Sequence, residues 1–173
     1  HTSLGCDWSS DVCSSDLSPR YTILAVVNDT SEAGARNLIG SRAALEDQQE
    51  PVFDLATVPA KAGGRTVRWH GDEKLSVDLK HPRKHFLLTA VSETDHVRVF
   101  HNTSQIGVAA TSDAGDQTHR VVGRHSTLED EYWKGDVAEI LVYHAALDQQ
   151  RRARVWRYLG QKYGLFPDRK SVV

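Results

Sequence analysis

Apolar residues in most of this chain come in short runs separated by polar turns. Residues 21–27 (YTILAVV) are apolar and β-branched on both faces, which predicts a buried strand. Residues 137–143 (VAEILVY) form the strongest strand pattern in the chain. Shorter segments bounded by Gly, Pro or Asn also have strand character: residues 38–40, 52–55, 66–69, 75–79, 86–91, 96–100, 106–110 and 121–123.

The periodicity changes from strand to helix only near the end of the chain. Asp148 is placed as an N-cap, and Gly164 stands where a helix-terminating glycine belongs. Trp156, Leu159 and Tyr163 fall on one face of this helix, which we expect to pack on the strands. Many short strands followed by one helix predict an all-β, two-sheet antiparallel sandwich with a C-terminal helix.

Both ends of the chain match translated sequencing adapter. Residues 7–17 (DWSSDVCSSDL) are identical to one reading frame of a standard short-read library adapter. The closing residues 168–173 (DRKSVV) match the second adapter, which continues into a stop codon. We therefore expect residues 1–17 and 168–173 to be adapter-derived and unpacked, and residues 18–167 to be one native domain. The alternative is a secreted tail, rich in Ser and Asp, with a Cys pair.

Removing these tails changes the composition that bears on function. Cys6 and Cys13 lie in the first tail, so the native part would have no disulfide or thiol chemistry. The chain has 21 Lys and Arg against 23 Asp and Glu, and without the tails 19 of each remain. This balance does not indicate a nucleic-acid partner. No apolar run approaches the roughly 20 residues needed to span a bilayer.

The closing segment, residues 133–164, resembles the end of LamG-like jelly-roll domains of bacterial extracellular proteins, in the concanavalin A-like lectin/glucanase superfamily. Their pattern is a Gly-Asp-Ile-Ala-Glu strand ending in Tyr, a polar N-cap, and a helix ending Tyr-Leu-x-x-Lys-Tyr-Gly. Val137 replaces the Ile. The matching residues are Gly135, Asp136, Ala138, Glu139, Tyr143, Leu147, Tyr158, Leu159, Lys162, Tyr163 and Gly164. The resemblance covers nearly all of residues 18–167 and is loose before residue 85.

This resemblance implies a jelly-roll module of a larger extracellular or cell-surface protein, usually without enzymatic activity. Carbohydrate binding is the first expected function, and protein or matrix adhesion or a structural spacer are the alternatives, because fold alone does not decide function. Family members carry further strands before the equivalent of residues 21–27. We therefore expect this domain to lack its first strands.

Glycoside hydrolysis is a less favoured reading, since it needs two carboxylates facing one substrate. Glucanases of the superfamily carry Glu-hydrophobic-Asp-x-x-Glu on a strand, whereas Glu129, Asp130 and Glu131 have the wrong order and lie in a polar loop. Asp136 and Glu139 are three apart on a strand, which predicts opposite faces. No serine-hydrolase, phosphate-loop or zinc-enzyme motif is present. We therefore assign no catalytic residue and no metal ligand.

Ligand binding is better supported by the sequence. Trp133 and Tyr132, beside Asp130, place aromatic faces next to a carboxylate, a combination suited to sugar rings and hydroxyl groups. Asn102, in a predicted hairpin turn, would add an amide if it lies at the same rim. The competing interpretation is that Trp133 only covers the edge of the sandwich.

Glu139 is expected to be structural. It lies on the strand at residues 137–143, on a face assigned to Val137, Leu141 and Tyr143, where an unpaired carboxylate would be unfavourable. Its first expected partner is Arg124, with a Lys or backbone N–H groups as alternatives.

Calcium is a further candidate ligand, because related domains bind it through Asp and backbone oxygens. Turns are rich in the same residue types, so the pattern is not specific. The candidates are Asn28 with Asp29, and Asp113 with Asp116.

Overall fold

Ten strands and one helix make up the part of the chain that the computed structural model describes. The described residues are 20–30, 34–42, 51–59, 65–69, 74–75, 84–110, 119–123 and 132–166. The strands are β1 (Tyr21–Asp29), β2 (Arg36–Arg42), β3 (Pro51–Pro59), β4 (Arg65–Trp69), β5 (Lys74–Leu75), β6 (Phe86–Ser92), β7 (His96–His101), β8 (Ser104–Ala110), β9 (His119–Val122) and β10 (Gly135–Tyr143), and the helix is α1 (Gln149–Tyr163).

These strands form two antiparallel sheets of five strands each. The order is β10-β1-β6-β7-β8 in the first sheet and β5-β4-β3-β2-β9 in the second. The predicted fold, a two-sheet antiparallel jelly-roll sandwich with one C-terminal helix, is confirmed. The tails at residues 1–17 and 168–173, expected to be unpacked, lie outside the described residues.

The apolar pattern of strand β1 follows from its position in the fold, because the strand is buried on both faces along all nine residues. Ile23, Ala25 and Val27 point into the core between the sheets, whose other side includes Leu55 and Trp69. The alternate residues Leu24 and Val26 belong to a second apolar cluster, beneath α1. A central strand covered by a sheet on one side and a helix on the other needs apolar residues at every position.

Helix α1 begins and ends where the sequence predicts. The Asp148 carboxylate accepts a hydrogen bond from the backbone N–H of Arg151 at 2.8 Å, and Gly164 adopts a left-handed φ of 62°. Trp156 and Leu159 are buried against the outer face of the first sheet. The expected packing of the helix on the sandwich is therefore confirmed.

Gly160 allows the chain after α1 to fold back onto the helix. A Cβ at this position would lie 2.3 Å from Cδ2 of Phe166. Replacing Gly by Ala inside a helix normally stabilises by about 1 kcal/mol. Here the overlap should cost about 1–3 kcal/mol, so we expect Gly160→Ala to lower the free energy of unfolding in urea titrations.

Removal of the Phe166 ring provides the control for this effect. In a Phe166→Ala background the overlap no longer exists, so Gly160→Ala should become stabilising. If Gly160→Ala changes the free energy of unfolding in the same direction in both backgrounds, Phe166 does not limit the space at Gly160.

Among the described residues, no helix has both the length and the apolar composition required to cross a membrane.

Candidate functional site

Several of the candidate ligand-binding residues lie at one end of the sandwich. The register pairs Asp29, at the end of β1, with Gly135, at the start of β10. Strand β6 begins at this same end, and its Leu88 pairs with His101. The β7–β8 hairpin that carries Asn102 therefore lies at the same end. Since β1 and β6 separate β10 from β7, these two strands are about 14 Å apart, three strand spacings. We call this the Tyr132 end.

The segment 132–134 joins the two sheets at this end. Tyr132 forms an isolated β-bridge with Asn37 at the start of β2, and the backbone N–H of Trp133 donates to the carbonyl of Gly123 at 2.8 Å. On the other side, the carbonyl oxygen of Lys134 accepts from the Thr30 N–H at 2.9 Å. Main-chain bonds to both sheets therefore hold the segment in place.

The two aromatic rings of this segment have different environments. Trp133 is half-buried and packs against the core between the sheets. Its Nε1 is buried and has no hydrogen-bond partner within the described part of the chain. The Tyr132 side chain is 50% exposed. Of the two rings, Tyr132 therefore offers the open face, while Trp133 covers the sandwich edge.

Asn102 uses one of its two side-chain polar groups to hold the hairpin. Its φ of 55° is the left-handed conformation that Asn tolerates better than most residues. Its Oδ1 accepts from the Leu87 N–H at 3.0 Å, and its own N–H donates to the Leu87 carbonyl at 2.6 Å. The Nδ2 amino group is the part of Asn102 that a ligand would meet. Asp130 lies outside the described residues.

A buried ion pair underlies the Tyr132 end. Arg65 Nε lies 2.6 Å from Asp29 Oδ2, and the two side chains are 4% and 1% exposed. Thr57 Oγ1 donates to the same carboxylate oxygen at 2.5 Å and accepts from Arg65 Nη2 at 2.8 Å. Arg65 also donates to the carbonyl of Gly34 at 3.0 Å. Burial lowers the pKa of Arg65, and the charge of Asp29 opposes that effect.

Asn28 and Asp29, the first calcium candidates, both have polar partners within the described chain. Asp29 is already neutralised by Arg65. Asn28 is buried, and its Nδ2 donates to Asp136 Oδ2 at 3.4 Å. The described ranges contain no group of three or more His, Cys, Asp or Glu side chains that could hold a metal ion. The other candidates, Asp113 and Asp116, lie outside those ranges.

Glu139 connects β10 to α1. Its Oε2 accepts from Lys162 Nζ at 3.0 Å and from the Tyr163 hydroxyl at 2.9 Å. The hydrogen bond to Glu139 is the main reason that the pKa of Lys162 is raised. The structure thus gives Glu139 a cationic partner from the helix, whereas the sequence analysis placed Arg124 first. Arg124 lies outside the described residues.

The expectation that Asp136 and Glu139 point to opposite faces is wrong, because β10 has a bulge between them. Asp136 pairs with Asn28 and Glu139 pairs with Val26. Since Asn28 and Val26 are two residues apart on β1, both pairs lie on one face. By the same register Val137 faces the other way, so it does not share a face with Glu139. The two carboxylates nevertheless have different partners, Asn28 for Asp136 and the helix for Glu139.

Sequence reasoning missed the Asp29–Arg65 pair and the Lys162 contact. The first joins residues 36 apart in a chain with no motif around either, so no local signal marks it. The contact of Lys162 with Glu139 could have been predicted in part, since Lys162 lies within one turn of the apolar stripe at Leu159 and Tyr163, which faces the strands.

Comparison with known proteins finds likeness in structure only. No protein-family model matches the chain, and no curated protein sequence matches it. A carbohydrate-binding module (CBM40) of a Ruminococcus gnavus sialidase, bound to α2,6-sialyllactose, superposes with a TM-score of 0.58 at 18% identity, covering 79% of this chain and 82% of that one.

Two other solved structures share the architecture. A pentraxin from Limulus polyphemus has a TM-score of 0.54 at 13% identity, over 80% of this chain and 70% of that one. Domain 4 of an extracellular arabinanase from Geobacillus stearothermophilus, in complex with arabinotriose, has a TM-score of 0.59 at 14% identity, over 79% of this chain and 66% of that one. At these identities the likeness shows the fold alone.

Proposed function

We propose that this chain is a non-catalytic carbohydrate-binding module of the LamG-like kind, belonging to a larger extracellular or cell-surface protein. The observation that carries the proposal is the exposed ring of Tyr132, held by main-chain bonds to both sheets. A half-exposed aromatic ring on a fixed backbone is suited to stacking on a pyranose. Asn102 Nδ2 would contact the hydroxyl groups, and Asp130 and Trp133, close to Tyr132 in the sequence, are the further candidates.

Two further observations support this choice. The sandwich is shared with modules that were solved with sialyllactose and with arabinotriose. Glu139, the residue whose place on an apolar strand most resembles that of a catalytic acid, is bound by Lys162 and Tyr163 from the helix. We also propose that residues 18–167 are native and that residues 1–17 and 168–173 are adapter-derived.

Replacing Tyr132 by alanine is expected to weaken glycan binding by about tenfold, because an aromatic contact at a binding surface commonly contributes 1 kcal/mol or more. A glycan array would first identify a ligand, and calorimetric titration would then compare the variants. The wild type should bind with a Kd between about 1 mM and 1 μM. Tyr132→Phe should retain most of the affinity, since the ring remains.

Tyr158→Ala is the matched control, because Tyr158 is also a 50% exposed tyrosine but lies on α1. Affinity for neutral glycans should be unchanged in this variant. Equal losses in the two alanine variants, or binding that survives Tyr132→Ala, would place the site elsewhere. A folded protein that binds no glycan would favour adhesion or a spacer role.

A further inference from the structure

The exposed face of α1 is cationic along its whole length. The helix contains no acidic residue between Gln149 and Tyr163. Arg152 is buried against the sheet, whereas the other basic residues are exposed. The outward basic residues are Arg151, Arg154, Arg157 and Lys162. This asymmetry is local, since the chain as a whole carries a formal charge of −2.

The basic residues in the middle of this face have the fewest acidic partners. Arg151 lies 3.5 Å from Asp148, and Lys162 is bound to Glu139. Arg154 and Arg157 have no ion-pair partner within the part of the chain that the structure describes. They flank Tyr158, whose ring is half exposed and lies 5.5 Å from Lys162 Nζ.

The positions of these basic residues destabilise the helix. Arg151, Arg154 and Arg157 repeat at i, i+3 spacing, where like charges repel. Arg151 and Arg152 also lie in the first turn, where the helix dipole disfavours cations. Glutamate at any of the exposed positions would relieve the repulsion without touching the apolar stripe. A folding requirement therefore does not account for the charge of this face.

We propose that the α1 face binds an acidic polysaccharide through the uronic carboxylates. Guanidinium groups recognise carboxylates with paired, charge-assisted hydrogen bonds. Tyr158, between Arg154 and Lys162 on one ridge of the helix, offers a ring against which a sugar can lie. The surface is separate from the Tyr132 end, so the inference does not rest on the function proposed there.

An anionic membrane fits this surface less well. The apolar residues of the helix, Trp156 and Leu159, are turned into the sheet, so the outward face lacks the row of apolar side chains by which an amphipathic helix enters a bilayer. A nucleic-acid duplex is also less favoured, because its base faces are stacked inside the helix, and stacking of bases on an exposed aromatic ring such as Tyr158 is a feature of single strands.

Affinity electrophoresis of the full chain in gels containing polygalacturonate tests the proposal, with methyl-esterified polygalacturonate as the uncharged form of the same sugar chain. Wild-type protein should be retarded by the acid form only, and added salt should weaken the retardation. The variant Arg154→Glu/Arg157→Glu should lower the affinity by about tenfold or more. The control Arg20→Glu/Lys84→Glu makes the same change of charge at exposed positions outside α1 and should leave it within about twofold.

Thermal unfolding of both double variants verifies that they fold, which their exposed positions favour. If both double variants lose affinity equally, the loss comes from the change in net charge and not from the α1 face, and the proposal is overturned. No retardation of the wild type at low salt would also overturn it, as would tighter binding to a DNA duplex than to polygalacturonate. Tyr132→Ala should leave this binding intact, which separates it from glycan binding at the Tyr132 end.

Discussion

Replacing Trp156 by alanine should lower the free energy of unfolding by about 3–5 kcal/mol, the usual cost of removing a large buried aromatic side chain. The Trp156 side chain fills the space between α1 and the first sheet, and its ring centroid lies 5.3 Å from that of Phe100. Its Nε1 donates to Thr89 Oγ1 at 3.0 Å. Urea denaturation followed by circular dichroism would measure the loss.

Trp156 also contributes to the environment of a buried cation. The Arg152 guanidinium lies 4.9 Å from the centre of the Phe100 ring and 5.7 Å from that of Trp156. Desolvation lowers the pKa of Arg152, so the aromatic faces replace part of its lost hydration. Alanine at position 156 removes one of these faces and the donor to Thr89, which places the expected loss toward the upper end of the range.

Trp156→Phe separates these contributions, because it keeps a ring and removes only the hydrogen bond and part of the volume. Its cost should be about 1–3 kcal/mol, the penalty for a buried hydroxyl that loses its partner. A loss below about 1 kcal/mol for Trp156→Ala would mean that the face of α1 is not packed on the sheet.

Replacing Asp29 by alanine should cost about 3–5 kcal/mol, since it leaves the Arg65 guanidinium buried without its counter-charge. Arg65→Ala should cost a similar amount for the converse reason. In both variants Thr57 also loses one of its two hydrogen-bond partners. Thermal and urea denaturation of the two single variants would measure the losses.

The double variant Asp29→Ala/Arg65→Ala distinguishes a coupled pair from two independent sites. Once one charge is removed, the other is already unpaired, so the double variant should lose much less than the sum of the two single losses. Strictly additive losses would show that the two side chains stabilise the fold separately. The paired design also controls for cavity formation, since each single variant makes its own cavity.

The strand positions and the helix were predictable from local pattern alone. Strand β1 is apolar at nearly every position because a sheet and a helix cover its two faces. Helix α1 carries its own boundary signals in Asp148 and Gly164, and its stripe of Trp156 and Leu159 is the buried face.

Both features depend on residues close together in sequence, which is the range over which hydrophobic periodicity and capping are informative.

The details of the candidate site were less predictable, because they depend on contacts between distant parts of the chain. The bulge in β10 reverses the faces expected from simple alternation, and only the pairing with β1 reveals it. The sequence pattern indicated Trp133 and Tyr132 together as the aromatic residues of the candidate site. Which of two adjacent rings faces solvent is decided by the core that Trp133 meets, and no local pattern encodes that.

The main-chain attachment of residues 132–134 has a consequence for how ligand preference can change over evolution. The bonds that fix this segment are made by backbone atoms of Trp133 and Lys134 and by the bridge at Tyr132. The exposed side chains of Tyr132 and Lys134 take no part in these bonds. If the proposed function is correct, substitutions at these positions would alter which sugar is preferred while the backbone keeps its place, so selectivity could diverge among descendants of this domain with little effect on folding stability.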